Sequence, residues 1–197
     1  MVTPDGRIRR VGPDDPSGLF RATRGGGRPA GVITAVEVAV RSASIRTVGV
    51  VTGSGPELAT AWLAAAGGWP EALSTALEVV GTPAAWTATV HAWHLGAAAD
   101  AAGLLADLPG ASRLAESALD PLGDLTGRSA GGPAHPAWFG PELRLDQLLA
   151  RLDPSGQVVA VHLGGALGRP ARWADARPGR SATFAVLPRP GAPRPGP

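Results

Sequence analysis

The chain has 197 residues, which is enough for one domain with a hydrophobic core and short tails. It contains no cysteine and no lysine, so disulfides, a thiolate nucleophile, a lysine Schiff base and a P-loop lysine are excluded. Asparagine and tyrosine are also absent, a bias typical of a GC-rich genome, and the net charge is only +2.

The N-terminal part of the chain is predicted to pass from a leader into two strands and a helix. Residues 1–30 are rich in glycine, proline and arginine and lack apolar periodicity, which predicts a flexible leader. Residues 32–40 and 45–52 carry β-branched apolar runs that are typical of strands. Apolar residues then recur at helical spacing over residues 58–66, after Pro56, which suits the first turn of a helix.

Helical and extended patterns alternate along the rest of the chain. They predict helices over residues 71–80, 96–108 and 143–152, strands over residues 86–93, 157–163 and 181–187, and a Gly/Pro-rich loop over residues 120–140. This alternation predicts the α/β class, with a layered mixed sheet and helices, in a single domain over residues 31–187. The proline content of residues 188–197 predicts a disordered tail.

Charge is distributed unevenly along the chain. Residues 1–30 hold six arginines and three acidic residues, residues 161–197 hold six and one, and residues 31–160 hold six arginines against twelve acidic residues. The arginines form no dense basic stretch with interleaved aromatic residues, so nucleic-acid binding is not indicated. The chain begins without a secretory signal and has no apolar run of roughly 18 residues, so we expect a cytoplasmic protein that does not enter a membrane.

The four histidines are candidate acid–base or metal-binding groups: His91, His94, His135 and His162. His91 and His94 lie three apart, a spacing that brings two side chains together on a helix but not on a strand, and no third ligand is evident. Gly53-Ser54-Gly55 resembles a phosphate-binding turn but lacks the third glycine and the lysine of such motifs, and no Gly-x-Ser-x-Gly elbow indicates a hydrolase. Neither a metal nor a cofactor is therefore predicted.

Three short segments together carry a family resemblance. Residues 52–56 read TGSGP at the end of a predicted strand, residues 93–99 read WHLGAAA, and residues 161–165 read VHLGG. In order, they resemble the HGTGT loop, the GHxLGAAG segment and the terminal strand of a β-ketoacyl synthase or chain-length-factor-like protein, with residues 179–187 as an alternative for the last. The resemblance covers residues 31–187 and the C-terminal half of that family, and it implies a thiolase-like fold.

The same resemblance implies candidate catalytic residues and shows where the chain departs from the family. Thr52 stands in the position of the family's first catalytic histidine, and its hydroxyl can donate a hydrogen bond but carries no positive charge. His94 matches the second catalytic histidine, and His162 lies in the terminal segment. Because the acylated cysteine is missing, the resemblance implies a relative that does not condense acyl groups.

The sequence leaves three functions open. The first is a ketosynthase-like accessory or binding protein of polyketide or fatty-acid biosynthesis. Its partner would be a ketosynthase subunit or an acyl carrier protein, and homodimers are expected by analogy with the thiolase fold. Electrostatic docking to an acidic carrier would use the C-terminal arginines Arg169, Arg172, Arg177 and Arg180.

The second function is a small enzyme that uses a histidine as general base. The candidate bases are His91, His94 and His162, with Asp100 or Asp175 as the acidic partner. The third function is an interaction module without a catalytic site. The missing nucleophile favours a role without catalysis.

Overall fold

A computed structural model of the chain describes residues 1–24, 30–39, 46–54, 56–82, 84–117, 138–152, 156–164 and 182–189. The chain divides into two compact units. Unit 1 comprises Met1–Ser42 and Arg169–Arg180, and unit 2 comprises Ala43–Gly168 and Ser181–Pro197. The candidate functional site lies in unit 2.

Unit 1 is organised around the N-terminal residues. Val2 forms isolated antiparallel bridges with Ile8 and with Val32, and its backbone exchanges two hydrogen bonds of 2.8 Å with Val32. A short helix, α1 (Leu19–Thr23), follows. Residues 33–39 form no strand, so the strand predicted over residues 32–40 is not formed in the described part, because a strand also needs a hydrogen-bonded partner.

Unit 2 contains a seven-stranded antiparallel sheet. In chain order its strands are β1 (Arg46–Ser54), β2 (Leu73–Thr82), β3 (Ala85–His94), β4 (Ala111–Ser117), β5 (Trp138–Gly140), β6 (Gln157–His162) and β7 (Phe184–Arg189). Their order in space is β4-β1-β3-β2-β6-β7-β5, and each pairing is antiparallel. The predicted α/β class is confirmed, whereas the predicted mixed sheet is wrong.

The alternation of side chains gives the sheet two different faces. In β2 the odd-numbered residues of 73–79 are buried, whereas residues 74 and 80 are exposed. In β3 the even-numbered residues of 88–94 are buried. This period of two is that of a strand with one face packed against a core.

Three helices cover one face of this sheet. They are α2 (Pro56–Ala65), α3 (Ala98–Leu105) and α4 (Leu145–Leu149), with a 3₁₀ turn at Ala66–Gly68. Leu58, Trp62, Leu105 and Leu148 from these helices join one buried cluster with apolar strand residues such as Leu77. We call this side the core face and the opposite side the far face. No helix in the described part is long and apolar enough to cross a membrane.

Trp62 anchors α2 to the middle of the core face. Its ring is completely buried, and its Nε1–H donates a hydrogen bond of 3.0 Å to Thr75 Oγ1. The ring also packs against Phe184 of β7, with centroids 5.7 Å apart. A buried indole N–H without an acceptor would destabilise the fold, and Thr75 supplies that acceptor.

Two parts of the sheet differ from the sequence-based prediction. The helix predicted over residues 71–80 is wrong, because these residues form most of β2. Over so short a run, the apolar spacing fits both the helical period and the strand period. These residues form a strand because they are hydrogen-bonded to β3 on one side and to β6 on the other. The strands β4 and β5 were not predicted, since Ala111–Ser117 is poor in β-branched residues and β5 falls in the predicted loop over residues 120–140.

The turn between β2 and β3 requires glycine at position 81. Gly81 has a φ of +140°, and a Cβ added there would lie 2.3 Å from the backbone oxygen of Ala85. We expect Gly81→Ala to lower the free energy of unfolding by about 2 kcal/mol or more, because unfavourable φ values alone cost roughly 1–3 kcal/mol. Chemical denaturation would measure the change.

Gly103→Ala is the matched control for this substitution. Gly103 lies in α3 and an added Cβ would meet nothing within 4 Å. Alanine in a helix interior is favoured over glycine by roughly 0.5–1 kcal/mol, so this variant should gain stability. A Gly81→Ala protein as stable as the wild type would contradict the described turn.

Candidate functional site

Three polar side chains form a hydrogen-bonded row across the far face. His91 Nε2 lies 2.7 Å from Glu78 Oε2, and Gln157 Nε2 donates a hydrogen bond to the other carboxylate oxygen, Glu78 Oε1. The three residues come from β3, β2 and β6, which are neighbours in the sheet. We call them the Gln157–Glu78–His91 row.

Strand register places these three side chains together. Glu78 pairs with Thr89 on β3 and with Val159 on β6, so Glu78, Thr89 and Val159 lie on the same face of the sheet. His91 and Gln157 are each two residues from those partners, at diagonal positions on opposite sides of Glu78. Diagonal neighbours are roughly 7–8 Å apart, within reach of long side chains.

The row is largely shielded from solvent. The side chain of His91 is 13% exposed and that of Glu78 is 23% exposed. At this burial a carboxylate requires partners, and Glu78 has one at each oxygen. A histidine held by a carboxylate is the arrangement that orients an imidazole for proton transfer.

Trp93 lies next to the row on the far face. It is two residues from His91 along β3, and the two rings are nearly parallel, with an interplanar angle of 27° and centroids 6.3 Å apart. Trp93 is partly buried. An indole ring therefore lies beside the histidine–carboxylate pair on the far face.

Two of the predicted catalytic residues, Thr52 and His94, lie on opposite faces of the sheet. Thr52 pairs with Thr89 and is exposed on the far face, whereas His94 is buried on the core face, where it pairs with Thr47. They share no site, contrary to what the ketosynthase resemblance implies. His91 and His94 are separated in the same way, because residues three apart on a strand point to opposite faces.

His94 packs against the backbone that follows it. A Cβ added at Gly96 would lie 2.7 Å from His94 Cε1, so the ring occupies the space above this glycine. Its Nδ1 is buried and has no hydrogen-bond partner among the described residues. His94 sits where β3 leads into α3, but it faces the core.

His162, the third predicted catalytic residue, also lies on the core face. Its ring is half-buried against Phe184, with centroids 5.8 Å apart, and it covers Gly164 as His94 covers Gly96. Burial lowers the pKa of His162 from its ordinary value of 6.5. Its surroundings disfavour the charged imidazolium, and no described acidic side chain contacts it.

The turn over residues 53–55 does not have the geometry of a phosphate cradle in its described part. A Cβ added at Gly53 would lie 3.1 Å from Leu58 Cβ and 3.6 Å from the Pro109 oxygen. The absence of a side chain at Gly53 thus allows α2 to pack closely on β1. The space a phosphate would need on that side is filled.

Other candidates lie outside the described residues or away from the row. His135, Asp175 and the arginines at positions 169, 172, 177 and 180 are outside the described part. Asp100 lies in the first turn of α3 on the core side of the sheet, apart from His91.

Glu78 and Gln157 are not among the site residues predicted from the sequence. A helix over residues 71–80 does not place Glu78 on a strand beside His91, whereas the observed strand β2 does. The available signal was a single carboxylate inside the apolar run Leu-Glu-Val-Val, and one amide opening the apolar strand β6. A lone polar residue at alternating spacing in an apolar strand indicates a polar position on the second face.

Comparisons with known proteins concern the fold. No protein-family model and no curated protein matches the chain. Solved structures do: a variant of the grass pollen allergen Phl p 4 described as a glucose oxidase has 17% identity, covers 98% of this chain and 46% of its own, and has a TM-score of 0.70. Berberine bridge enzyme from Eschscholzia californica has 16% identity, covers 76% and 36%, and scores 0.56.

A BBE-like protein from Arabidopsis thaliana is similar at 14% identity, covering 74% of this chain and 37% of its own, with a TM-score of 0.54. The chain spans less than half the length of each of these three structures. At such identities the similarity shows the fold alone.

The similarity corrects the family prediction. The neighbours are berberine-bridge-enzyme-like oxidoreductases, so the predicted thiolase-like fold and the ketosynthase-like accessory function in polyketide or fatty-acid biosynthesis are wrong. The two alternatives, a small histidine-dependent enzyme of unstated class and an interaction module, do not match these neighbours either. Short motifs of alanine and glycine recur by chance in a chain this rich in both.

The half-buried ring of His162 predicts a pH dependence of stability. The unfolded chain binds this proton near pH 6.5, whereas the folded chain binds it only at lower pH. Unfolding therefore takes up a proton between the lowered pKa and 6.5, so the free energy of unfolding falls as pH drops through that window. Above 6.5 the group has no effect.

His162→Gln should remove this contribution. We expect the melting temperature of the wild type to fall more than that of the variant when pH is lowered from about 8 to about 5.5. Calorimetry at both pH values would measure it. Equal decreases in the two proteins would contradict the burial of the ring.

Proposed function

We propose that the chain supplies the substrate-facing sheet of an FAD-linked oxidoreductase that oxidises a hydroxyl-bearing compound. The 2.7 Å hydrogen bond between His91 and Glu78 carries this proposal. Oxidation of an alcohol to a carbonyl removes a proton from oxygen together with a hydride from carbon, so the site needs a proton acceptor. The far face provides one in a fold shared with proteins described as a glucose oxidase and as berberine bridge enzyme.

His91 is the described histidine best suited to accept that proton. It lies on the far face and is paired to a carboxylate that can stabilise the imidazolium formed when it takes up a proton. His94 and His162 face the helices and the apolar core, and neither has a described carboxylate as a hydrogen-bond partner. Trp93 supports substrate binding because its ring can pack against the apolar part of a ligand.

The oxidant of this reaction class is the flavin of FAD. The glycine turn before α2 does not hold its pyrophosphate, because the space at Gly53 is filled by Leu58. When bound, FAD would accept the hydride that leaves the substrate carbon. The proposal assigns to His91, Glu78 and Trp93 the proton transfer and the contact with substrate.

Replacement of His91 tests the proposed function. The full chain would be supplied with FAD and an artificial electron acceptor, with glucose as the first substrate and a panel of other sugars and primary alcohols. We expect oxidation of at least one compound, and a decrease in kcat/KM of roughly 100-fold or more in His91→Gln, the usual contribution of a general base. Glu78→Gln should also lower it.

His162→Gln is the matched control, since it makes the same change in a histidine on the core face. It should keep kcat/KM within about twofold of the wild type at pH 8, where His162 is neutral. Melting curves of each variant would separate loss of activity from loss of folding. A wild-type chain that oxidises no compound of the panel, or equal activity in the two variants, would overturn the proposal.

A further inference from the structure

We propose that residues 32–39 form a strand that pairs with the same residues of a second copy of this chain. The two strands run antiparallel and are related by a two-fold axis at Val36. We call these residues the 32–39 segment. The inference rests on unit 1 alone, and it depends neither on the proposed function nor on the thiolase analogy.

The 32–39 segment exposes many large apolar side chains in a short stretch. Val32, Ile33, Val36 and Val38 are 67%, 51%, 72% and 69% exposed. The other exposed large apolar residues of the described part are scattered along the chain: Ile8, Val80 and Leu95. A contiguous exposed apolar patch is typical of a surface that contacts a partner.

The backbone of the segment is unpaired beyond its first residue. Val32 exchanges two hydrogen bonds with Val2, whereas residues 33–39 form no backbone hydrogen bond with another described residue. In a strand that continues from Val32, residues 33, 35, 37 and 39 direct their N–H and C=O groups to the edge away from Val2. No described residue pairs with that edge, and an open edge with β-branched side chains can pair with another strand.

The unpaired backbone favours a polypeptide strand over a lipid surface as the occupant. A lipid surface would cover the apolar side chains but would leave the N–H and C=O groups of residues 33–39 without partners, which is unfavourable. A neighbouring strand covers the side chains and also supplies those hydrogen bonds.

The side chains of the segment are complementary to themselves in one antiparallel register. With Val36 opposite Val36 of the second copy, Thr34 lies opposite Val38. These three residues and Val32 share one face of the two-stranded ribbon, because side chains alternate along a strand. β-Branched residues therefore meet across the two strands, as in the pairs that stabilise sheets.

The charges of the segment are compatible with the same register. Glu37 lies opposite Ala35 of the second copy, so the two glutamates do not face each other. Glu37 also has a partner within its own chain, since Arg10 Nη2 lies 2.6 Å from its carboxylate. Two-fold pairing of identical surfaces is the commonest symmetry of protein homo-oligomers.

Charge substitutions at position 36 test this register. Val36→Lys and Val36→Glu each place like charges opposite each other on the two-fold axis, so each variant alone should associate roughly tenfold more weakly than the wild type. An equimolar mixture of the two variants should recover the association, because opposite charges then meet. Sedimentation velocity of the full chain from about 1 to about 100 µM covers the affinities expected of a small interface.

Val80→Lys is the matched control for these variants. Val80 is also an exposed valine, 46% exposed, but it lies in β2 of unit 2, outside the segment. Its substitution should leave the association unchanged. Melting curves of all three variants would confirm folding, which we expect because both positions are exposed.

Backbone hydrogen exchange provides a second measurement, which needs no substitution. Exchange at the amides of residues 33, 35, 37 and 39 should slow as concentration rises, roughly tenfold once about nine-tenths of the chains are paired, because exchange then requires dissociation. The amides of residues 34, 36 and 38 point to the other edge and should exchange at an unchanged rate.

Two results would overturn the proposal. One is a chain that stays monomeric over the whole concentration range. That result would favour a partner that supplies the rest of the fold, since this chain covers less than half of each solved relative. The other is a dimer that forms equally well in Val36→Lys, because the contact between copies would then lie elsewhere.

Discussion

The pairing of β2 with β3 on one edge and β6 on the other is the constraint on which the sheet and the site depend. These pairings place Leu77 and Val79 in the core and Glu78 on the far face. A slip of one residue would reverse that assignment, burying the carboxylate among apolar side chains. The packing of the core therefore fixes the register, and the register aligns the row.

The three described histidines differ in which face of the sheet they occupy. His94 and His162 end β3 and β6 on the core face, and each ring covers the glycine two residues later. His91 lies on the far face in contact with a carboxylate. Chemical type alone does not distinguish these three residues, because the difference comes from which side of the strand each occupies.

The similarity to berberine-bridge-enzyme-like structures identifies a fold, and folds host many chemistries. The chain corresponds to less than half of the length of those proteins, so the functional argument depends on its own side chains. The ketosynthase resemblance illustrates the same point from the opposite direction. Its strand-to-helix segment is present as β3 followed by α3, yet the histidine in it faces the core and does not meet Thr52.

Local pattern in the sequence was sufficient for several elements: β3, β6 and α3 follow from their periodicity, and the absence of cysteine and lysine excludes whole classes of chemistry. The identity of β2 and the joining of Glu78, His91 and Gln157 were decided only by tertiary structure. In the chain, His91 lies 13 positions from Glu78, and Gln157 lies 79 positions from Glu78. Hydrogen bonding between strands brings them together, and a single sequence shows no local trace of which strands will pair.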